Sequence, residues 1–384
     1  MRILLLNANL HRIGTYHRAL NFGRQLRRHG HDVTLVTVSR TSRWRREEEH
    51  VEGVRVLLEP NWGHRFWPGA ASGPLDIWDR TRRIAAGKYD LVYGFEYHPN
   101  VSVPVYLTQL WRRYPFVSDW CDWHAGASNT YRGIRLMHRW DRFWEERIRF
   151  RASAVTVISR LLADRARAIG IPASRIHVVQ EGVDLEYIRP LPAAEARRAL
   201  GLPAGTPLLV MVADGTLHRA LDIFARVADR VPDVELVIVG RVPSHVPETS
   251  RELGVSGRVR TPGFIPDEDL PRYLAASDVC FLPLDDDLVN RARWPHKVND
   301  YMAAGRPFVI NEVGDLGRFV SETGAGVIAP QDNERFAELI TQLFRDARAR
   351  EDLGLRARSV AEAHLDWRPI GDQLAQIVAA VGPH

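Results

Sequence analysis

Cysteine and long apolar runs are scarce in this sequence. Its 384 residues include only two cysteines, Cys121 and Cys280, too far apart to build a disulfide framework, so a reducing, cytoplasmic location is expected. The N-terminal run MRILLLNANL has one basic residue and a short apolar stretch. It predicts a buried strand and is too short for a signal peptide or a membrane span. No G-x-G-x-x-G follows that strand, which counts strongly against an NAD-dependent dehydrogenase.

Lysine is nearly absent, although the chain is basic. Of the 52 basic residues only Lys88 and Lys297 are lysines. Arginine does not replace a compact ammonium where one point charge meets one phosphate oxygen, so Lys297 is a candidate phosphate ligand. The net charge of +5 comes from arginines interleaved with acidic residues, without any nucleic-acid-binding motif. We therefore predict no nucleic-acid partner.

Short apolar runs alternate with longer helical patterns, which is typical of βαβ units and a parallel sheet. The length favours two domains. We predict an α/β fold of two Rossmann-like, doubly wound domains facing a central cleft, where the carboxyl ends of the strands place ligands. The predicted boundaries are 1–187 and 188–365, followed by a C-terminal helix in 366–384 that packs back toward the N-terminal domain.

The most informative segment runs from Pro295 to Pro307, between two apolar strands. Proline is suited to the first turn of a helix, and Gly305 ends it. Lys297 and Asp300 are three residues apart and therefore share one helix face. The lysine, the helix dipole and free backbone amides favour a phosphate there, and the carboxylate can accept from ribose hydroxyls.

These residues resemble the retaining GT-B glycosyltransferases of family 4, which carry a P-x-K-x-x-E-Y-M-A-x-G-x-P-V-V segment. The resemblance extends over nearly the whole chain. The segment VTVISRLLADRARAIGIPASRIHVVQEGVDLEYIRP is similar to the family's crossover between domains, and RVRTPGFIPDEDLPRYLAASDVCFLPL to a second family element. The resemblance implies a glycosyltransferase that moves a sugar from a nucleoside-diphosphate donor to an acceptor hydroxyl with retention of configuration and without a metal.

The resemblance also implies roles for individual residues. Lys297 and Arg219 would contact the diphosphate and Asp300 the ribose, while Asp119 and His124 would face the acceptor. The remaining implied donor-binding residues are Gly14, Gly215, Thr216, Gly314, Asp315 and Leu316. The donor is expected to be UDP- or GDP-linked and the acceptor a glycan, a lipid-linked sugar or a small molecule, with no further cofactor.

Four positions depart from the family pattern. The first of the family's two glutamates falls on Ala292, and the arginine of its G-R-L-x-x-x-K-G segment falls on Asp214. Glu181 stands where asparagine is usual, and Gly14 is a single glycine where the family has a pair. Two alternatives stay open beside the transferase: a catalytically silent scaffold subunit of the same fold, and a nucleotide-sugar epimerase.

Two groups of possible metal ligands and one aromatic helix each have an alternative interpretation. Cys121, Asp122 and His124 match no usual zinc spacing, and Asp285–Asp287 is expected to be an exposed loop, so no metal is predicted. The helix MHRWDRFWEERIRFR carries Trp140, Phe143, Trp144, Ile148 and Phe150. This pattern indicates either a helix that covers the sheet or a peripheral contact with an anionic membrane on the cytoplasmic face. The Trp-bearing segment Asn61–Pro68 could also touch an acceptor.

Overall fold

The computed structural model of the chain describes residues 1–62, 73–124, 135–214 and 217–382. The chain divides into two compact units. The first unit contains Met1–Glu181, Arg291–Trp294 and Trp367–His384, and the second contains Gly182–Asn290 and Pro295–Asp366.

The first unit is built on an eight-stranded sheet with the order β3-β4-β2-β1-β5-β6-β7-β8. Its strands are β1 (Arg2–Leu10), β2 (Asp32–Val38), β3 (Glu47–Val51), β4 (Val54–Glu59), β5 (Leu91–Phe95), β6 (Phe116–Trp120), β7 (Ala154–Val157) and β8 (Ile176–Val178). All pairs are parallel except β3 with β4. The strand order reverses between β1 and β5, the position where doubly wound sheets place ligands. The first helices are α1 (Tyr16–Arg28), α2 (Pro74–Ala86), α3 (Pro99–Thr108), α4 (Arg135–Phe150) and α5 (Arg160–Ala168).

The second unit is built on a six-stranded, wholly parallel sheet with the order β11-β10-β9-β12-β13-β14. Its strands are β9 (Leu208–Asp214), β10 (Glu235–Arg241), β11 (Val259–Gly263), β12 (Val279–Leu282), β13 (Phe308–Asn311) and β14 (Val327–Ala329). The order reverses between β9 and β12. The helices that follow are α6 (Ala193–Ala199), α7 (His218–Ala228), α8 (Val246–Glu252), α9 (Leu270–Ala276), α10 (Leu288–Ala292), α11 (His296–Ala303), α12 (Gly314–Thr323), α13 (Asn333–Arg345) and α14 (Ala347–His364).

The last helix, α15 (Trp367–Val381), belongs to the first unit. Its apolar face joins the core formed by α1 and β1, with Leu374 and Val378 fully buried. The Trp367 ring meets the Phe22 ring edge-on, with centroids 6.0 Å apart. At Gly371 an added Cβ would lie 2.7 Å from the side-chain oxygen of Gln25, so the two helices approach closely because this residue is glycine.

The predicted α/β class with two parallel, Rossmann-like sheets is confirmed. Sequence patterning missed three strands at or near sheet edges: β3, β11 and β14. The EEEHV sequence of β3 is largely exposed, and β11 contains Pro262, so neither shows the apolar run of a central strand. In the part of the chain that the structure describes, no helix has the length and apolar character needed to cross a membrane.

Candidate functional site

The predicted residues of the second unit lie on segments that follow three neighbouring strands. Arg219 follows β9, Lys297 and Asp300 follow β12, and Gly314 follows β13. These three strands are adjacent in the sheet and flank the point where its order reverses. Parallel strands end at the same edge, so the segments are brought together at the position expected of a ligand site.

Helix α11 presents Lys297 and Asp300 from its first two turns. Pro295 caps the helix, which begins at His296. Lys297 is half-buried and Asp300 is buried, with 5% of its surface exposed. The Asp300 carboxylate lies 3.4 Å from Nε2 of His296, one turn earlier. The Tyr301 hydroxyl, which is fully buried, accepts a hydrogen bond from the Val212 amide at 2.9 Å and so ties this helix to β9.

Arg219 is held firmly within its own unit. Its Nη1 donates to the Leu284 carbonyl at 3.0 Å and to the Asp285 carboxylate at 2.9 Å, and its Nε donates to the Asn333 side chain at 2.9 Å. Gln331 accepts two further hydrogen bonds. A diphosphate would have to compete with these partners, and the predicted contact of Arg219 with the donor stays a prediction.

The turn from β13 into α12 is tightly built. Asn311 is fully buried and accepts a hydrogen bond from the Leu284 amide at 2.9 Å, and its amide group donates to the carbonyls of Ala329 and Pro330. Gly314 has a φ of +64°, a left-handed conformation that favours glycine. The structure therefore holds the amides at the start of α12 in a fixed position.

The other predicted residues of this turn differ in exposure. The Leu316 side chain is fully buried, so only its backbone can meet a ligand. Asp315 is half-buried and lies 3.8 Å from Arg318. Gly215 and Thr216 lie outside the described residues, as do the side chain of Asp214 and most of the Trp-bearing segment that ends at Pro68.

In the first unit, Gly14 occupies the turn between β1 and α1. Its φ is +59°, and an added Cβ would lie 2.6 Å from Nδ2 of Asn9. That amide donates to the Thr15 hydroxyl at 2.8 Å, as does the amide of Asn7. Close packing under the turn therefore requires glycine here, whether or not a ligand approaches it.

Asp119 lies at the centre of a buried polar network. One oxygen accepts from Nε of Arg18 at 2.9 Å, and the other accepts from Nη2 of Arg18 at 3.1 Å and from the Thr156 hydroxyl at 2.6 Å. Arg18 also pairs with Glu181 at 2.9 Å. Asp119 is fully buried. These contacts make Asp119 a residue that positions the side chains of Arg18 and Thr156. Its predicted contact with the acceptor stays a prediction.

His124 lies beside Asp122, with which the sequence already grouped it, and beside Glu96, which sequence reasoning did not bring to this site. Its Nε2 is 3.7 Å from a carboxylate oxygen of Glu96, which follows β5 and is 1% exposed. One atom from each of Glu96, Asp122 and His124 can be chosen so that all three lie within 4.8 Å of one another. The backbone amide of His124 donates to Glu145 at 3.2 Å, which also accepts from the Trp120 indole.

Burial and charge shift the pKa values of this group in opposite directions. Burial raises the pKa of Glu96 to about 8, although His124 lowers it. Burial alone would lower the pKa of His124, but the carboxylates of Glu96, Asp122 and Glu145 outweigh it and the net shift is upward. Burial lowers the pKa of His98 to about 3, so this neighbouring imidazole is neutral at physiological pH.

Glu96 is the functional candidate that sequence reasoning missed. It follows directly after the apolar strand LVYGF, and a carboxylate at the carboxyl end of a strand beside the reversal point was the available signal. Its φ of +68° is left-handed, which is rare for a residue other than glycine. Such a conformation costs on the order of 1 kcal/mol or more and persists only where the surroundings enforce it.

The other singled-out residues have ordinary structural environments. Cys121 is buried and its thiol donates to the Asp119 carboxylate at 2.7 Å. Asp285–Asp287 is exposed, as expected of a loop, and Asp285 pairs with Arg219. On α4, Phe143 and Phe150 are about half exposed, at 51% and 48%, while Ile148 is buried. The helix therefore both covers the sheet and offers aromatic rings to the surface.

Both halves of the chain match glycosyltransferase families. The family described as Glycosyltransferase Family 4 matches residues 14–187, and the family described as Glycosyl transferases group 1 matches residues 209–346. A D-inositol 3-phosphate glycosyltransferase of Thermobifida fusca is 28% identical over 253 residues, which cover 60% of this chain and 57% of the relative. The chain spans about half the length of the curated relatives it matches.

Two solved structures share the fold along the whole chain. The sucrose-phosphate synthase of Thermosynechococcus elongatus has a TM-score of 0.79 at 18% identity, covering 99% of this chain and 98% of its own. HepE of Anabaena, solved in complex with UDP and glucose, has a TM-score of 0.75 at 16% identity, covering 98% and 99%.

Proposed function

This chain belongs to the family-4-like glycosyltransferases of the GT-B fold, and we propose that it transfers a sugar from a nucleoside-diphosphate donor to an acceptor hydroxyl with retention of configuration. The observation that carries the proposal is the grouping of Lys297, Asp300 and the Gly314 turn after three adjacent strands of the second unit. The UDP present in the HepE structure supports a nucleotide-sugar donor, and we propose UDP or GDP as the nucleotide of that donor.

In this proposal the second unit stabilises the leaving diphosphate. Negative charge grows on the diphosphate as the glycosidic bond breaks, and the Lys297 ammonium together with the N-terminus of α11 opposes it. The buried carboxylate of Asp300 accepts hydrogen bonds from the ribose. The amides at the start of α12 hold the donor sugar. No metal ion takes part on the diphosphate, so transfer should need no added Mg²⁺ or Mn²⁺.

Retention is proposed to follow from attack on the leaving-group face of the sugar. The acceptor oxygen forms the new bond to the anomeric carbon as the bond to the diphosphate breaks, and the diphosphate takes the acceptor's proton. The protein then contributes orientation and charge stabilisation and no covalent nucleophile. His124 is half-buried and accessible from solvent, so it is better placed than Asp119 to orient the acceptor.

The acceptor is proposed to be a lipid-linked sugar, with a glycan or a small molecule as the alternatives. The exposed rings of Phe143 and Phe150 lie on a helix that also carries Arg142 and Arg147. Apolar rings beside arginines suit the surface of an anionic membrane, where a lipid-linked acceptor would be found.

A thermal-shift measurement with UDP, GDP, ADP and TDP tests the proposal. One of them should raise the melting temperature, because ligand at about a hundred times its dissociation constant adds about 2.7 kcal/mol of stability. The shift should be the same in EDTA and should be reduced in Asp300→Ala, which removes the proposed ribose contact. If no nucleotide or nucleotide-sugar stabilises the protein at millimolar concentration, the chain is a silent scaffold. An epimerised donor recovered after incubation without acceptor would indicate an epimerase.

A further inference from the structure

We propose that Glu96, Asp122 and His124 in the first unit form a binding site for one divalent transition-metal cation of the Zn²⁺ or Mn²⁺ kind. The three side chains come from two segments, the end of β5 and the loop after β6. Each can offer one ligand atom, and these atoms all lie within 4.8 Å of one another. Ligands of a tetrahedral zinc ion at about 2.0–2.2 Å are separated by about 3.3–3.6 Å, so a small side-chain rotation closes the set.

An orphaned carboxylate oxygen points to a missing ligand. Glu96 is 1% exposed, and its Oε1 accepts a hydrogen bond from the Cys121 amide at 3.3 Å. Its Oε2 is buried and has no hydrogen-bond partner, and the nearest cationic group is Nε2 of His124 at 3.7 Å. Buried polar atoms in native proteins almost always have a partner. A cation between Glu96 and His124 would satisfy this oxygen.

The surrounding charges leave a net negative site. Asp119 pairs with Arg18, which also pairs with Glu181. Glu145 accepts hydrogen bonds from the Trp120 indole and the His124 amide, and the buried guanidinium of Arg149 donates to the Glu145 backbone carbonyl and lies over the Trp120 ring. With a dication bound, ionised Glu96 and Asp122 would supply two negative charges beside one imidazole. That balance of charge would match a dication.

The ligand set also selects among cations. An imidazole with two carboxylates suits zinc, manganese and related transition metals, whereas magnesium and calcium prefer oxygen ligands alone. The hydrogen bond from the Cys121 amide to Glu96 would orient that ligand, as outer-shell partners do in metal sites. Asp122 and His124 are half-buried, whereas Glu96 is buried.

The cation would join the loop after β6 to the end of β5. It would hold Glu96 in its left-handed backbone conformation, and it lies in a different unit from Lys297 and Asp300. Metal binding can therefore be tested separately from donor binding, although His124 is also the residue proposed to orient the acceptor. If the protein binds no metal, the nucleotide-dependent thermal shift is unaffected. If no nucleotide shifts the melting temperature, metal binding is unaffected.

The test is metal binding by the full chain after EDTA treatment and removal of the chelator. Titration with Co²⁺, followed by its visible absorption, and with Zn²⁺ in competition with a chromophoric chelator should each give one equivalent per chain. Mg²⁺ at the same concentration should not raise the melting temperature. Glu96→Gln and His124→Gln should each weaken binding by more than about tenfold, since loss of even a supporting group costs that much.

Two further variants keep the test decisive. Asp286→Asn changes an exposed acidic loop in the second unit and should retain one equivalent. Asp122→Asn changes a half-buried ligand, so it is expected to fold even if a buried substitution does not. The proposal is overturned if the stripped protein takes up no Zn²⁺ or Co²⁺ at submillimolar concentration. It is equally overturned if uptake is the same in folded Glu96→Gln, His124→Gln and Asp122→Asn.

Discussion

At the scale of single residues, the first unit is organised by one buried arginine. Arg18 donates to Asp119, to Glu181 and to the carbonyls of Val179 and Gln180. It therefore fastens α1 to β6 and to the segment after β8. The glutamate at position 181, where the family usually has asparagine, has a physical reason, because its carboxylate is a second counter-charge for Arg18.

The first prediction at this scale concerns the second unit: substitutions of Lys297 and Asp300 should change different kinetic constants. Lys297→Ala removes a charge that acts on the departing diphosphate, so kcat should fall by a factor on the order of a hundred or more. Asp300→Ala removes a contact to ribose that does not change during the reaction, so donor KM should rise while kcat changes little. Steady-state kinetics with varied donor concentration separates the two effects.

Lys297→Arg is the control for charge alone. It keeps the positive charge but replaces a compact ammonium with a planar guanidinium, and we expect it to be impaired. Wild-type kinetics in Lys297→Arg would mean that the lysine reflects composition alone. If Lys297→Ala were also harmless, the donor would not bind at α11.

At the scale of elements, the turn before α12 depends on a glycine inside the helix. An added Cβ at Gly317 would lie 2.7 Å from the Cα of Glu312 and 3.0 Å from the Asn311 carbonyl oxygen. Both are backbone atoms of the turn and cannot move aside as a flexible side chain could. The close approach of α12 to its own preceding turn is what fixes the amides near Gly314.

Gly317→Ala should therefore destabilise the protein, although alanine is the better helix former by about 1 kcal/mol. Overpacking of this kind typically costs about 1–3 kcal/mol, and displacement of the turn should also raise donor KM. Urea denaturation and donor kinetics measure the two effects. Gly257→Ala is the matched control, because no atom lies within 4 Å of its added Cβ. Equal stability of the two variants would show that the turn is loosely packed.

The sequence predicts central elements better than it predicts contacts. Apolar runs such as ILLL in β1 identify strands buried on both faces, and Pro295 and Gly305, which flank α11, identify that helix. Edge strands such as β3 are not detected from the sequence, because their exposed residues do not form an apolar pattern. Glu96 and His124 lie on different segments, and their proximity arises only from the pairing of β5 with β6. Such pairings between distant segments cannot be read from local spacing.

At the scale of the whole molecule, the chain crosses between its two units more than once. Residues 291–294 and the helix α15 belong to the first unit, although the former interrupt the second unit in sequence and the latter follows it. Ala292, where the family has a glutamate, is one of them, and its carbonyl accepts a hydrogen bond from the Ser159 hydroxyl at 2.6 Å. The first unit is therefore completed by one segment that interrupts the second unit and by one that follows it along the chain.

A substitution in α15 should consequently weaken the first unit. Leu374 is fully buried in the core with α1 and β1, and Leu374→Ala should cost about 2–5 kcal/mol through lost burial and a residual cavity. Leu355→Ala, on α14, is the control, because this leucine is 66% exposed and its loss should change stability by less than about 0.5 kcal/mol. Chemical denaturation of both variants provides the comparison. A neutral Leu374→Ala would mean that α15 contributes little to the core.

The position of α15 also determines the order in which the protein can fold during synthesis. Helix α1 ends at Arg28 and α15 begins at Trp367, so translation at about 5–20 residues per second separates them by roughly 20–70 s. Throughout that interval the apolar face of α1 that later receives Trp367 and Leu374 is uncovered on the nascent chain. All of the second unit, which ends at Asp366, has by then been synthesised. The unit that begins later in the sequence is therefore the first that can finish folding on the ribosome.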